Sequence, residues 1–229
     1  SKKNTIDPET MIKQYGADSV RWFILSDSPP DKDVQWSDSG VASSNKFLQK
    51  IWNLNNSILN RKQSKSNKKN EESFNLNIDT YIYKIDKFIN NFQMNVAIAQ
   101  FYEAYKYLQY ALKLEINNKV FSEGFIKILK LMIPFTPHIA LECLSLFNCK
   151  NTSDWPKIDN KIFENVKINL VVQVNGKTRD VVKIKKDVSE KEIFEFIVKS
   201  SKARKHIIDK KISKTIFIKN KIINYIILN

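Results

Sequence analysis

The chain has 229 residues, 42% of them hydrophobic, which is enough for a packed core and excludes global disorder. Only four glycines and six prolines occur, so long helices are favoured over a turn-rich β fold. Lys and Arg number 38 against 24 Asp and Glu, a formal +14 that suits a polyanionic partner and equally suits general solubility or an AT-rich coding bias.

The first forty residues read as a basic loop and two short helices. Ser1 opens the chain without an initiator Met, as though it continued a longer one. Asp7 is placed to cap a helix whose first position is Pro8, and Gly16 ends it. Asp18 is expected to cap the next helix, with Val20, Trp22, Phe23, Ile24 and Leu25, and Pro29-Pro30 stops it. Ser1-Lys2-Lys3-Asn4, Asp7-Pro8, Tyr15-Gly16-Ala17-Asp18 and Arg21 together resemble the segment just after the K-M-S-K-S loop of class I aminoacyl-tRNA synthetases, with Ser1 as the last residue of that motif. Ser26-Asp27-Ser28-Pro29-Pro30-Asp31-Lys32-Asp33 and Trp36-Ser37-Asp38 then resemble the bacterial leucyl branch. The first half of the match is shared with valyl, isoleucyl and methionyl relatives.

Four helical stretches follow. Residues 41–61 place Val41, Phe47, Leu48, Ile51, Trp52, Leu54, Ile58 and Leu59 at helical spacing. Residues 62–73 are expected to form a polar loop whose Lys65, Lys68 and Lys69 either touch phosphates or face solvent. Residues 76–92 are expected to bury Ile78, Ile82, Ile85, Phe88, Ile89 and Phe92. Residues 94–115 bury Tyr102 and Tyr105 on a wide apolar stripe and turn Tyr107 and Tyr110 toward solvent. Residues 122–147 form a helix broken at Pro134 and restarted, with Thr136 as cap and Pro137 in first position. Met132-Ile133-Pro134-Phe135-Thr136-Pro137-His138-Ile139-Ala140 is similar to the P-F-x-P-H-I signature of the synthetase helical domain. His138 has no evident nucleophile or carboxylate partner and reads as a structural residue hydrogen-bonding between helices. Cys143 and Cys149 lack a second Cys or His pair and read as reduced thiols rather than a zinc site. Asp154-Trp155-Pro156 closes the domain.

After residues 157–166, read as a linker, the period changes to two. Lys167 to Val174 and Thr178 to Ile184 are strands joined by Asn175-Gly176, the favoured two-residue hairpin turn. Ser189 and Glu192 form a capping box, a short helix carries Lys202, Arg204, Lys205 and His206, and Lys214 to Lys219 and Ile222 to Leu228 are two more strands. Residues 161–229 hold 17 basic and 7 acidic side chains, so most of the charge excess lies here. Val171-Val172-Gln173-Val174-Asn175-Gly176-Lys177-Thr178-Arg179 resembles the start of the C-terminal domain of bacterial leucyl-tRNA synthetases, which in that family contacts the outer corner of tRNA.

The expected architecture is a mainly α-helical bundle of the anticodon-binding type followed by a small α+β domain of order ββααββ. Residues 1–40 are the end of a catalytic-core junction, 41–156 the helical domain, 157–166 a linker and 167–229 the basic domain. The resemblance implies a full-length leucine–tRNA ligase that activates leucine with ATP and Mg2+ and transfers it to tRNA-Leu, as a cytoplasmic monomer with no membrane association. No glycine-rich phosphate loop or H-I-G-H sequence occurs here, and Ser1, Lys2 and Lys3 are at most the exit of the K-M-S-K-S loop. This chain alone is therefore expected to bind no ATP or metal and to be inactive in aminoacylation. The candidate phosphate contacts are Lys177, Arg179, Lys202, Arg204, Lys205, Lys210 and Lys211. A stand-alone RNA-binding or assembly module, and the tail of a valyl or isoleucyl enzyme, are the alternatives.

Overall fold

The computed structural model describes residues 6–62, 64–158, 167–185 and 188–228. The chain divides into two compact units, Ser1–Ile158 and Asp159–Asn229, each with its own apolar core. The first is wholly helical: α1 (Pro8–Tyr15), α2 (Ala17–Asp27), α3 (Asp38–Leu59), α4 (Lys68–Asn90), α5 (Met94–Ala111), α6 (Asn118–Met132) and α7 (Pro137–Leu146).

Asp7 caps α1, accepting the N–H of Glu9 at 3.1 Å and of Thr10 at 3.3 Å. Gly16 lies between α1 and α2 at a φ of 80°, which costs a glycine nothing. Helices α1 and α2 cluster with the helices that follow. The reason is Trp22, which is fully buried and has Phe47, Phe101 and Phe135 rings 5.2, 5.7 and 6.1 Å from its own. Burying a large side chain of this kind is worth roughly 1.5–3 kcal/mol or more, enough to make α2 part of the bundle. Arg21 on α2 donates to the backbone carbonyls of Phe135 and Pro134 at 3.1 and 2.6 Å, and Arg61 donates to those of Ile116 and Leu114, both at 2.7 Å. Both guanidiniums are thus committed to holding loops.

Three expectations for α4, α5 and the loops beside them change. Residues 68–73 belong to α4 rather than to a loop. Asn67 caps it by accepting the Asn70 N–H, and Glu71 accepts both the Ser66 hydroxyl and the Asn117 N–H. Phe92 is exposed rather than buried, because α4 ends at Asn90 and Phe92 turns out of the helix at a φ of 54°. Tyr107 is packed on the core beside Phe74 and Tyr81, whereas Tyr110 faces solvent as expected.

The second unit contains β1 (Lys167–Val174), β2 (Lys177–Lys185), α8 (Glu190–Ser200), a 3-10 turn (Lys202–His206), β3 (Ile212–Ile218) and β4 (Ile222–Ile227). The sheet order is β2-β1-β4-β3, with β1 and β4 parallel and the outer pairs antiparallel. Leu170, Val172, Val174, Val182, Ile184, Ile223 and Tyr225 point from one face toward Ile193 and Ile197 of α8. Asn175 and Gly176 turn the hairpin at φ values of 49° and 75°, both positive as the tight turn requires. The turn is also stitched to β4: Asn175 Oδ1 accepts the Ile227 N–H at 2.9 Å, and Asn224 Oδ1 accepts the Gly176 N–H at 3.2 Å. Ser189 and Glu192 make the expected capping box.

Candidate nucleic-acid interface

All seven basic residues singled out in the second unit are exposed. Ser1, Lys2 and Lys3, the proposed exit of the K-M-S-K-S loop, lie outside the described residues.

Lys177 and Arg179 belong to β2, and the register of that strand decides where they point. Val172 faces Asp180, but Gln173 faces Thr178, so Arg179 has no partner of its own and sits in a β-bulge. A bulge bends its strand and re-aims side chains. On the hairpin side of it Lys177 pairs with Val174, a residue of the helix-covered face. Residues paired across strands share a face, so Lys177 is carried to the same side as α8 and the 3-10 turn.

Asp180 joins the strand to that turn. Its carboxylate accepts the Ser201 hydroxyl at 2.6 Å and the Lys202 N–H at 2.8 Å, and its other oxygen accepts the Val181 N–H at 2.8 Å. The Ser201 hydrogen bond above all, then the two N–H groups and the Lys202 ammonium, hold the Asp180 carboxyl below its ordinary value, against the opposing effect of burial. Ser201 Oγ in turn accepts the Ala203 N–H at 3.0 Å, so the turn carrying Lys202, Arg204 and Lys205 is braced from its first residue.

His206 is half-buried at the end of the turn. Its pKa is lowered first by desolvation and then by the positive charges of Arg179, Lys205 and Lys210. Those residues come from β2, from the turn and from the connection to β3. Among the described residues none of Arg179, Lys205 and Lys210 forms a salt bridge. Residue type marks the cations in the sequence, but not the bulge and Asp180, which position Arg179 and the turn. The signal for Asp180 is a lone acid inside a basic strand.

The helical unit offers a different chemistry. A cleft of about 580 Å3 is lined by Tyr15, Asp18, Asn45, Gln49, Trp52 and His138 among others. Its lining contains a carboxylate and no Lys or Arg, so it is no phosphate seat. Asp18 does not cap α2, whose N-cap is Gly16. It caps α7 instead: Oδ2 accepts the Ile139 N–H at 2.8 Å, and Oδ1 lies 2.9 Å from His138 Nδ1, which donates to it. Thr136, expected to be that cap, is buried and donates its hydroxyl to the Met132 carbonyl at 3.4 Å. His138 therefore has a carboxylate partner and links helices. Cys143 is buried and its thiol is pushed up to about 12 by desolvation, while Cys149 is half-buried; both are free. Among the described residues no helix is long and apolar enough to cross a membrane.

Comparison with known proteins adds the following. The family described as "Anticodon-binding domain of tRNA ligase" matches residues 74–194. Leucine–tRNA ligases of Buchnera aphidicola (subsp. Cinara cedri), Prochlorococcus marinus (strain MIT 9215) and Orientia tsutsugamushi (strain Boryong) are 37%, 38% and 35% identical, each over 99% of this chain. The chain spans 27–28% of the length of these relatives. The fold is similar to part of the agnB2 LeuRS of Agrobacterium radiobacter K84, solved as a ternary complex with tRNA and LeuAMS. The TM-score is 0.72 at 23% identity, over 99% of this chain and 30% of that one.

Proposed function

This chain belongs to the family of anticodon-binding domains of tRNA ligases, and we propose that it is the tRNA-binding C-terminal part of a leucine–tRNA ligase. The observation that carries this reading is the alignment of 99% of the chain with leucine–tRNA ligases at 35–38% identity. In the full-length protein, leucine is activated with ATP and Mg2+ by the portion that precedes these two units and is transferred to tRNA-Leu. The protein works as a cytoplasmic monomer. The helical bundle, residues 41–156 with α1 and α2 packed against it, supports the RNA. The unit from residue 167 onward grips its backbone through Lys177, Arg179, Lys202, Arg204, Lys205, Lys210 and Lys211.

The role of these cations is electrostatic. A phosphodiester exchanges its counterions for Lys and Arg side chains, and the contacts fix the position of the RNA without reading its bases. The braced turn favours this, because its cations are held near one another before RNA arrives. Binding of a tRNA-Leu transcript to the chain is the direct test, with Lys202→Glu, Arg204→Glu and Lys205→Glu combined as the variant. The expected result is at least a ~10-fold loss of affinity at low salt. Equal affinities in the two proteins would remove the basic unit from the interface. The chain by itself is expected to catalyse no ATP–pyrophosphate exchange.

A further inference from the structure

We propose that the cleft between α3 and the α1–α2 junction is a seat for one unpaired nucleobase, of the kind that bears an exocyclic amino group, with the phosphate of the same nucleotide resting on Lys46 and Lys50. The inference rests on the RNA-binding reading of this chain and goes beyond it by assigning a base site to the helical unit.

One side of the cleft is a stripe of α3. Asn45, Gln49, Trp52 and Asn53 recur at i, i+4, i+7 and i+8, which puts them on one face of the helix. The rest of the lining comes from the end of α1, the start of α2 and the first turn of α7. The space enclosed is about 580 Å3, within the roughly 300–1,000 Å3 of sites that take small organic groups. Hydrogen bonds hold its sides in place. Asn45 Nδ2 donates to the Tyr15 carbonyl at 3.0 Å and to Ser19 Oγ at 3.1 Å, and Asp18 ties the start of α2 to α7. The cleft is therefore formed before a ligand arrives.

The same bonds decide which polar groups are left over. Gln49 Nε2 donates to Asn45 Oδ1 at 2.8 Å, so Gln49 Oε1 remains as an acceptor. His138 donates from Nδ1 to Asp18 at 2.9 Å, so in the neutral ring Nε2 is a second acceptor, on a side chain that is 77% exposed. The Asp18 carboxylate is committed to His138 and Ile139. Trp52, half-buried in the lining, supplies an aromatic surface for stacking. Two acceptors and an indole match the amino group and the ring of adenine, guanine or cytosine, whereas uracil has no amino group to offer. The absence of Lys and Arg from the lining keeps the phosphate out of the cleft itself. Lys46 and Lys50 stand three residues before Gln49 and Asn53, and side chains three apart are neighbours on a helix. Both are exposed, and among the described residues neither has a carboxylate within 4.0 Å. A base in the cleft thus has cations beside it for its own phosphate, which favours a nucleotide over an uncharged ligand or an apolar side chain.

The test is titration of the chain with short oligoadenylate and oligouridylate of equal length, following the indole N–H signals by NMR, with Trp52 assigned through Trp52→Phe. Oligoadenylate is expected to move the Trp52 signal and to bind at least about fivefold more tightly than oligouridylate. Trp52→Ala is expected to weaken oligoadenylate binding about tenfold or more, and Trp52→Phe, which keeps an aromatic face, to hold it within about threefold. Gln49→Ala is expected to cut the preference for adenylate to about twofold or less. Gln49 is exposed, so its variant tests the seat even where Trp52→Ala costs the fold. Equal affinity for the two oligonucleotides, or an unmoved Trp52 signal, overturns the seat. Inorganic phosphate moving the Trp52 signal as adenylate does would make the cleft an anion site and overturn the base reading. If the seat fails and the tRNA-Leu transcript still binds, the functional reading stands without it. If adenylate occupies the cleft and the transcript does not bind, the seat stands and the functional reading fails.

Discussion

The carboxylate of Asp18 satisfies the N–H of Ile139, the third residue of α7, and the His138 imidazole at once, from a side chain 121 residues distant in sequence from Ile139. The first turn of a helix has N–H groups with no partner of their own, and α7 receives no side-chain cap from Thr136. Asp18→Ala therefore leaves a part-buried N–H unpaired and is expected to destabilise the helical unit by about 1–3 kcal/mol. Urea unfolding followed by Trp fluorescence measures this cleanly, because Trp22, Trp36, Trp52 and Trp155 all belong to that unit. In the other unit Asp180 plays a comparable part, and its depressed pKa has a stability consequence. A carboxylate whose folded pKa is lowered contributes stability that is present above its unfolded value, about 4, and is lost as pH falls through the folded value. Acid titration of the amide spectrum around Ser201 and Lys202 is expected to show the turn loosening in that window, and Asp180→Asn is expected to show it already loose at pH 7. Steric limits act at the same scale. A Cβ on Gly124 would come within 2.6–2.9 Å of the Phe74 ring, which is stacked against Phe121 at 4.9 Å. Gly124→Ala is thus expected to cost about 1–3 kcal/mol through overpacking, read from the same Trp transition.

Among the elements, the β1–β2 hairpin carries most of the arrangement that the proposed site uses. Its turn is held by its own φ values and by two side-chain hydrogen bonds to β4, so it fixes the end of the sheet where Lys177 sits. Asn175→Ala removes one of these bonds and puts a less suitable residue at positive φ; about 1–2 kcal/mol of stability of this unit should be lost, measurable by hydrogen exchange of β4 amides. Elements specified by near neighbours were legible in the sequence. The Asn175-Gly176 turn, the Ser189–Glu192 capping box and the Asp7–Pro8 start are patterns of four residues or fewer, and all three occur as read. What was not legible depends on distant partners. The bulge at Arg179 exists only relative to the register of β1, and the role of Asp18 only relative to α7. The first turns of α4 were hidden for another reason. They bury nothing before Phe74, and what holds them is the Asn67 cap and the reach of Glu71 to Asn117, not an apolar stripe. In the candidate site, residue type marked the cations, whereas the bulge at Arg179 and the Asp180 brace of the turn could come only from the fold.

Over the whole chain the charge is divided unevenly. The 17 basic and 7 acidic side chains of residues 161–229 belong to a unit with a small core, while residues 1–160 hold 21 and 17. In the helical unit Arg21 and Arg61 spend their guanidiniums on backbone carbonyls, and Lys13, Lys68, Lys106 and Lys127 have carboxylates within 4.0 Å. These cations are partly neutralised where they stand, and exposed pairs of this kind add little to stability or long-range field. Among the described residues none of Lys177, Arg179, Lys202, Arg204, Lys205, Lys210 and Lys211 has a carboxylate within 4.0 Å, so their field is free to act on a polyanion. Salt dependence separates this from a shape-driven interface. If about four phosphates are neutralised, the logarithm of affinity for tRNA-Leu falls with the logarithm of salt at a slope near −3 to −4. The combined reversal of Lys202, Arg204 and Lys205 is expected to flatten that slope by about 2 to 3, since each phosphate contact accounts for roughly 0.7–0.9. A variant that lost affinity at an unchanged slope would have lost its shape rather than its charge, and the amide spectrum of the turn would distinguish the two.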